Sequence, residues 1–317
     1  MAIVWIDQSS PSDAQTGGKG ASLVSLSGGG FPVPPGFIIA ADSFRRFVSA
    51  NGLQPLIDAV LETPDLRVPK VAREATADLT AAIAAAVIPD DVRDAVAAAY
   101  ARLQPEAMAV AVRSSALSED GASASSAGLY ETYLNVRDLP AVLDAVHRCY
   151  QSLWSARAVQ YRAFKGLGSR EEAMAVVVMA QVTAEAAGVA FTANPITGDR
   201  NQIVVNASWG LGEAVVSGRV TPDSFIVDKR SLTIQSREIA GKEVEIVPDP
   251  TGGSGTVPRA VDGRRSMTPA LTDEQLVTLA TLCREIERRY DRPVDIEWAT
   301  ARRSIYILQA RPITSLP

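Results

Sequence analysis

The chain has 317 residues, with 31 Lys and Arg against 36 Asp and Glu, a formal net charge of -5, and 47% hydrophobic residues. That is the balance of a globular protein with room for about two domains. A single histidine, His147, and two distant cysteines, Cys149 and Cys283, leave almost no room for a Ser-His-Asp triad and exclude a multi-histidine metal centre, a zinc ribbon or a disulfide framework. The acidic balance gives no electrostatic support for nucleic-acid binding, and no run of about 18 apolar residues offers a membrane span. The N-terminus MAIVWIDQSS is too short and acidic for an export signal, so a cytoplasmic protein is expected.

In chain order, Ile3 to Ile6 reads as a short strand. Gly17-Gly18-Lys19-Gly20 follows, then a helix beginning at Ala21 and stopped by Gly28-Gly29-Gly30. After the rigid Pro32-Val33-Pro34-Pro35-Gly36 turn, Phe37 to Ala40 reads as a strand and Ala41 to Ala50 as a helix capped by Asp42 or Ser43. Residues 53 to 103 have helical spacing divided by Pro64, Pro69 and Pro89. Met108 to Val112 is a strand running into Arg113, then comes a loop of small residues from Ser118 to Gly128, a strand from Tyr130 to Asn135 and one helix from Leu139 to about Phe164.

The second half is richer in strands: Ala175 to Gln181, Gly188 to Thr192, Gln202 to Ala207, Ser224 to Asp228 and Leu232 to Ile239. Residues 248 to 268 are rich in Gly, Pro and charge and read as a flexible excursion. Thr272 to Tyr290 is a helix with acids in its first turn and arginines in its last, as the helix dipole favours. Two strands, Val294 to Trp298 and Ser304 to Ala310, close the chain.

Four features could carry chemistry. Lys19 lies among glycines that would let backbone N–H groups approach an anion, or it is a solvated lysine in a glycine turn. A Walker A loop is excluded, since it would need Gly at 13 and Ser or Thr at 20, where Asp13 and Gly20 stand. Arg113 is aimed either at a ligand or at a structural carboxylate. The loop from Ser118 to Gly128 is either surface or a cover for phosphates. Asp295 and Glu297 share one strand face, and Gln309 and Arg311, alternating with Leu308 and Ala310, share a face of the next. Paired as a hairpin, these would gather hard oxygens and a guanidinium, suited to Mg²⁺ and polyphosphate or to a cross-strand ion pair. Trp209-Gly210-Leu211-Gly212-Glu213-Ala214 fails the dinucleotide fingerprint because position 215 is Val.

Seven stretches in order give a resemblance. GGKGASLVSLSGGGFPVPPGF (17–37), VRSSALSED (112–120), AGLYETYLNV (127–136), GVAFTANPITGD (188–199), WGLGEAVVSGRVTPD (209–223), VDIEWA (294–299) and ILQARPIT (307–314) resemble the N-terminal ATP-binding domain of the phosphoenolpyruvate synthase, pyruvate phosphate dikinase and rifampin phosphotransferase family. The resemblance implies an α+β, ATP-grasp fold with two lobes clasping Mg-ATP, here 1–180 and 181–317. By position, it implies that Lys19, Arg113 and Arg311 hold the ATP phosphates, that Asp295, Glu297 and Gln309 form the metal and phosphate site with Glu297 and Gln309 as Mg²⁺ ligands, and that Ser118–Gly128 is the phosphate lid. The backbone of Met179-Ala180-Gln181-Val182 would read the adenine, and Glu213 would lie near the nucleotide. The chain departs from the family at Ser126, where Phe is frequent, and at Met179 and Gln181, where Gln and Met are frequent.

Family members pass the β-phosphate of ATP to a histidine on a swivelling domain, releasing AMP and phosphate, and a small-molecule acceptor bound elsewhere then takes the phosphate. His147 has no Thr-Ser-His context, so the resemblance implies a nucleotide module that works with a phosphohistidine domain in cis or in trans. The alternatives are a stand-alone ATP-grasp ligase that forms an acyl phosphate and ADP, and a non-catalytic ATP-binding partner domain.

Overall fold

The structure is a computed structural model that describes residues 2–7, 13–104, 107–117, 129–167, 172–314 and 316–317. It divides into two compact units, one of Met1–Val24 and Pro35–Gln181, the other of Ser25–Pro34 and Val182–Pro317. Each unit builds an antiparallel sheet and covers it with helices, so the α+β class expected from the sequence is the class observed.

In the first unit, β1 (Ile3–Trp5), β2 (Gly36–Ile39), β3 (Val110–Ala116), β4 (Thr132–Val136) and β5 (Met174–Ala180) form one sheet in the order β1-β2-β5-β3-β4. β5 takes the middle because its run MAVVVMA is apolar at every position and buried throughout, as a strand covered on both faces must be. The helices are α1 (Asp13–Gly28), whose residues from Ser25 belong to the second unit, α2 (Ala41–Ala50), α3 (Gln54–Glu62), α4 (Pro69–Ala85), α5 (Asp90–Leu103), α6 (Leu139–Leu153) and α7 (Ala156–Lys165).

The prolines divide α3, α4 and α5 as expected, with Pro69 opening α4 and Pro89 preceding α5. Phe44 and Phe47 of α2 pack on Tyr150 of α6 at 5.1 and 5.2 Å between ring centroids. His147 belongs to this packing: its Nε2 lies 2.7 Å from the Ile83 carbonyl of α4, and its ring meets Phe47 edge-on.

Two local expectations are corrected here. The helix expected from Leu139 to Phe164 is two helices, because Ser155 accepts the Ala158 N–H at 3.3 Å and starts α7 afresh. α2 has no side-chain cap: Ala40 holds the cap position, and Asp42 instead accepts from Arg45 at 2.8 Å.

The second unit holds β6 (Ala186–Phe191), β7 (Gln202–Trp209), β8 (Asp223–Asp228), β9 (Ile234–Glu238), β10 (Val244–Pro248), β11 (Thr256–Ala260), β12 (Val294–Ala301) and β13 (Ser304–Pro312), with helices α8 (Glu213–Val216), α9 (Gly263–Ser266) and α10 (Asp273–Tyr290). Six strands form a sheet in the order β13-β12-β6-β7-β8-β9, and β10 and β11 pair separately. α10 starts at a capping box in which Thr272 and Gln275 satisfy each other's backbone N–H groups. Its Leu276, Leu279, Cys283 and Ile286 form one core cluster with Val294, Ile296, Trp298, Ile305 and Ile307 of the sheet. The alternation of β12 therefore sends Val294, Ile296 and Trp298 into the core and Asp295 and Glu297 to the opposite face.

The flexible excursion expected over 248–268 contains β11 and α9 instead. Two of its arginines are paired. Buried Glu245 of β10 accepts from Arg259 at 2.8 Å and Arg265 at 3.2 Å, and Arg265 lies 4.3 Å over the Trp209 ring. Beside them Lys242, whose side chain is fully buried, donates to Asp223 at 2.5 Å and to the Ala240 carbonyl at 2.9 Å. Asp223 also accepts the N–H groups of Ala240 and Ala270. Among the described residues no helix is long and apolar enough to cross a membrane.

Candidate functional site

In the first unit the glycine-flanked lysine is built into the start of a helix. α1 breaks at Gly17, with φ 65° and ψ 173°, and is regular beyond it, so Lys19 lies in the first turn after the break. A Cβ on Gly17 would lie 2.1 Å from the Ser115 carbonyl oxygen, so backbone conformation and close approach both demand glycine there. Lys19 Nζ donates to the Ser114 carbonyl at 3.1 Å, which sets aside the reading of a merely solvated lysine. The Gly20 N–H donates to Ser115 Oγ at 3.1 Å, and Ser115 Oγ donates to the Thr16 carbonyl at 2.8 Å. Helix N-termini of this kind present unpaired N–H groups and a partial positive charge to anions.

Arg113 stands in the middle of β3, opposite Val177 and Thr132, and is only 8% exposed. The expected strand end at this residue is thus corrected: the strand runs on through Ser114 and Ser115 to Ala116. Lys19 is bonded to the carbonyl of the residue that follows Arg113 in β3. The stretch Ser118–Gly128, assigned as a phosphate lid by resemblance, lies outside the described residues.

The segment Met179-Ala180-Gln181-Val182 leaves the central strand. The Ala180 N–H donates to the Pro35 carbonyl at 2.8 Å and the Gln181 N–H to the Ala109 carbonyl at 3.0 Å. The Gln181 side chain accepts the Asn135 N–H. Gln181, a departure from the family pattern, therefore locks the end of β5 to β4.

The second unit brings together the residues of the closing hairpin. In the β12–β13 register Asp295 stands opposite Arg311 and Glu297 opposite Gln309. One-to-one pairing could not do this. Ile305 and Ile307 face the core, and strict alternation would send Gln309 and Arg311 there too. A bulge intervenes: Trp298 pairs with Ile307 and Glu297 with Gln309, so Leu308 is the extra residue. Beyond it Ala310 faces the core, and Gln309 and Arg311 join the two acids. The expectation that Leu308 alternates onto the apolar face is corrected accordingly.

Arg311 donates twice to a single oxygen, Asp295 Oδ2, from Nε at 3.0 Å and Nη2 at 2.7 Å. The other oxygen, Asp295 Oδ1, is buried without a hydrogen-bond partner. Burial pushes the Asp295 carboxyl above the usual carboxylate range, Arg311 pulls it back, and the Glu297 carboxylate adds to the upward push. An orphaned buried oxygen beside a second carboxylate and an amide oxygen is a donor set whose chemistry a hard divalent cation fits. No cluster of three or more His, Cys, Asp or Glu that could hold a metal ion occurs among the described residues.

Glu213 opens α8. Its carboxylate accepts from Thr256 of β11 at 2.9 Å and meets Arg219 at 3.5 Å.

Comparison with known proteins assigns the class and then the family. Residues 13–317 match a class of nucleotide-binding domains, described as pyruvate phosphate dikinase, AMP/ATP-binding domain. The chain belongs to this family. It is 40% identical over 99% of its length to a probable phosphoenolpyruvate synthase of Methanocaldococcus jannaschii, of which it covers 27%. It is 38% identical over 99% of its length to the phosphoenolpyruvate synthase of Pyrococcus furiosus, covering 44% of that protein. It is 44% identical over 96% of its length to a rifampicin phosphotransferase of Streptomyces sviceus, covering 34%. The chain thus spans less than half the length of these relatives. A structure of D-alanine–D-alanine ligase from Bacillus anthracis complexed with ATP aligns at a TM-score of 0.28 and 8% identity over 67% of this chain and 45% of that one, too slight a likeness to bear on the fold.

Proposed function

We propose that the chain is the Mg-ATP-binding, ATP-grasp module of a dikinase-type phosphotransferase in the cytoplasm. It cleaves ATP to AMP and phosphate and passes the β-phosphate to a histidine on a separate domain, in cis or in trans, from which a small-molecule acceptor takes it. The observation that carries this reading is the β12–β13 register, which sets Asp295 against Arg311 and Glu297 against Gln309 on one polar face. Family membership supports the nucleotide.

In this reading Lys19, Arg113 and Arg311 hold the phosphates and neutralise charge as the phosphoryl group transfers. Glu297 and Gln309 hold Mg²⁺, with Asp295 beside them, and the bound ion supplies further charge neutralisation on the phosphate oxygens. Ala180, Gln181 and Val182 form the adenine edge. With the Ala180 and Gln181 N–H groups already donated to Pro35 and Ala109, the Val182 N–H is the donor we assign to the base. Glu213 lies near the nucleotide.

The test is the identity of the nucleotide product. The chain, supplied with MgATP and a histidine-bearing partner domain of a relative, is expected to yield AMP and phosphate. ADP as the product would overturn the reading in favour of an acyl-phosphate ligase, and binding without turnover would leave only an ATP-binding partner domain.

His147 is expected to take no part. Its ring packs on Phe47 and hydrogen-bonds to the Ile83 carbonyl, so His147→Ala should cost about 1 kcal/mol of stability and leave phosphotransfer intact. A phosphoenzyme trapped on this chain and lost in that variant would refute the assignment.

A further inference from the structure

We infer that Ser115 is the residue that positions Lys19 for phosphate, a role that rests on the phosphate-holding function proposed for that lysine. Ser115 has no exposed surface, and it sits in β3, paired on the β5 side with Ala175. Its hydroxyl bridges the glycine segment from end to end: it donates to the Thr16 carbonyl before the break and accepts the Gly20 N–H after it. The three residues between, Gly17, Gly18 and Lys19, are therefore a short arch whose two feet rest on one side-chain oxygen. The backbone of the same strand completes the seat. The Ser115 carbonyl excludes any Cβ at Gly17, and the Ser114 carbonyl receives Lys19 Nζ.

A hydroxyl is needed because the site must be donor and acceptor at once, which neither an alkyl nor an ammonium group can be. The oxygen also satisfies an N–H at the start of a helix, as a capping residue does, although it comes from a strand 95 residues away in sequence. Removing it takes away the one side-chain oxygen on which both feet of the arch rest and leaves the orientation of Lys19 less tightly defined. The adenine-binding segment makes no contact through this oxygen.

The test is binding calorimetry on the 317-residue chain, with MgATP and with adenosine, for wild type, Lys19→Ala, Ser115→Ala and the double variant. Ser115→Ala is expected to weaken MgATP about tenfold, leave adenosine within about twofold, and cost less than about twofold more when Lys19 is already alanine. Thr76→Ala, which removes a buried hydroxyl bonded to the Ala72 carbonyl within α4, controls for loss of a buried hydroxyl and should leave MgATP affinity unchanged. Ser115→Cys keeps the shape with a weaker donor and acceptor, gives an intermediate loss, and serves if the alanine variant does not fold.

An equal loss in both backgrounds, or an equal loss for adenosine, would overturn the inference while the role of Lys19 stands. MgATP affinity unchanged by Lys19→Ala would overturn the phosphate role itself.

Discussion

Glu297→Ala is expected to abolish magnesium-dependent nucleotide turnover and to leave the protein folded. Glu297 lies on the face of β12 away from α10, between Ile296 and Trp298, which do the packing. Truncating it removes no core contact, so the stability change should stay within about 1 kcal/mol. Its carboxylate faces Gln309 across the hairpin, and an amide cannot supply the missing negative charge. Loss of a group that stabilises transition-state charge costs on the order of a hundred- to a thousandfold, and loss of a metal ligand adds to it. The measurement is AMP release with a histidine-bearing partner domain across a magnesium titration, alongside a thermal melt. Turnover near the wild-type rate would sink the assignment of this hairpin as the metal site.

The second large effect concerns folding. Asp223→Ala leaves the Lys242 ammonium buried with only the Ala240 carbonyl as its acceptor, and it orphans the N–H groups of Ala240 and Ala270. Breaking one partner of a buried pair typically costs about 3–5 kcal/mol, a large share of the roughly 5–15 kcal/mol that holds a domain folded. The second unit should therefore unfold at markedly lower urea, or fail to fold. Adding Lys242→Met should recover part of the loss by removing the uncompensated charge, but not the part due to the two backbone donors. A midpoint unchanged in Asp223→Ala would show that water reaches this pair.

The alternation of Asp295 and Glu297 with apolar residues predicted their shared face from sequence alone, because a strand has period two and one face was plainly apolar. The helix over Thr272–Tyr290 was legible from the acids in its first turn and the arginines in its last, whereas its capping box was not singled out. Leu308 was not legible, since a bulge depends on pairing with the opposite strand and leaves no mark in composition. The stretch 248–268 misleads because paired and solvated charges look alike in a sequence: Arg259 and Arg265 could be known as structural only once Glu245 was seen between them. Ser114 and Ser115 stood beside a candidate arginine, yet their link to Gly20 and Lys19 spans 95 residues, beyond any local pattern. The break at Ser155 was readable in principle, as a serine three residues before the apolar pair Ala158 and Val159, but helix composition on both sides concealed it.

The single extra residue at Leu308 gives the closing hairpin two independent halves. Up to Ile307, β13 answers to the hydrophobic core beneath α10. Beyond it, Gln309 and Arg311, which an uninterrupted strand would have committed to that core, join the polar face that carries Asp295 and Glu297. Residues 307 and 309, two apart and both buried, therefore meet opposite chemical demands, one apolar and one polar. The apolar cluster beneath α10 and the polar face are thus specified by separate positions of a single strand, divided by one inserted residue.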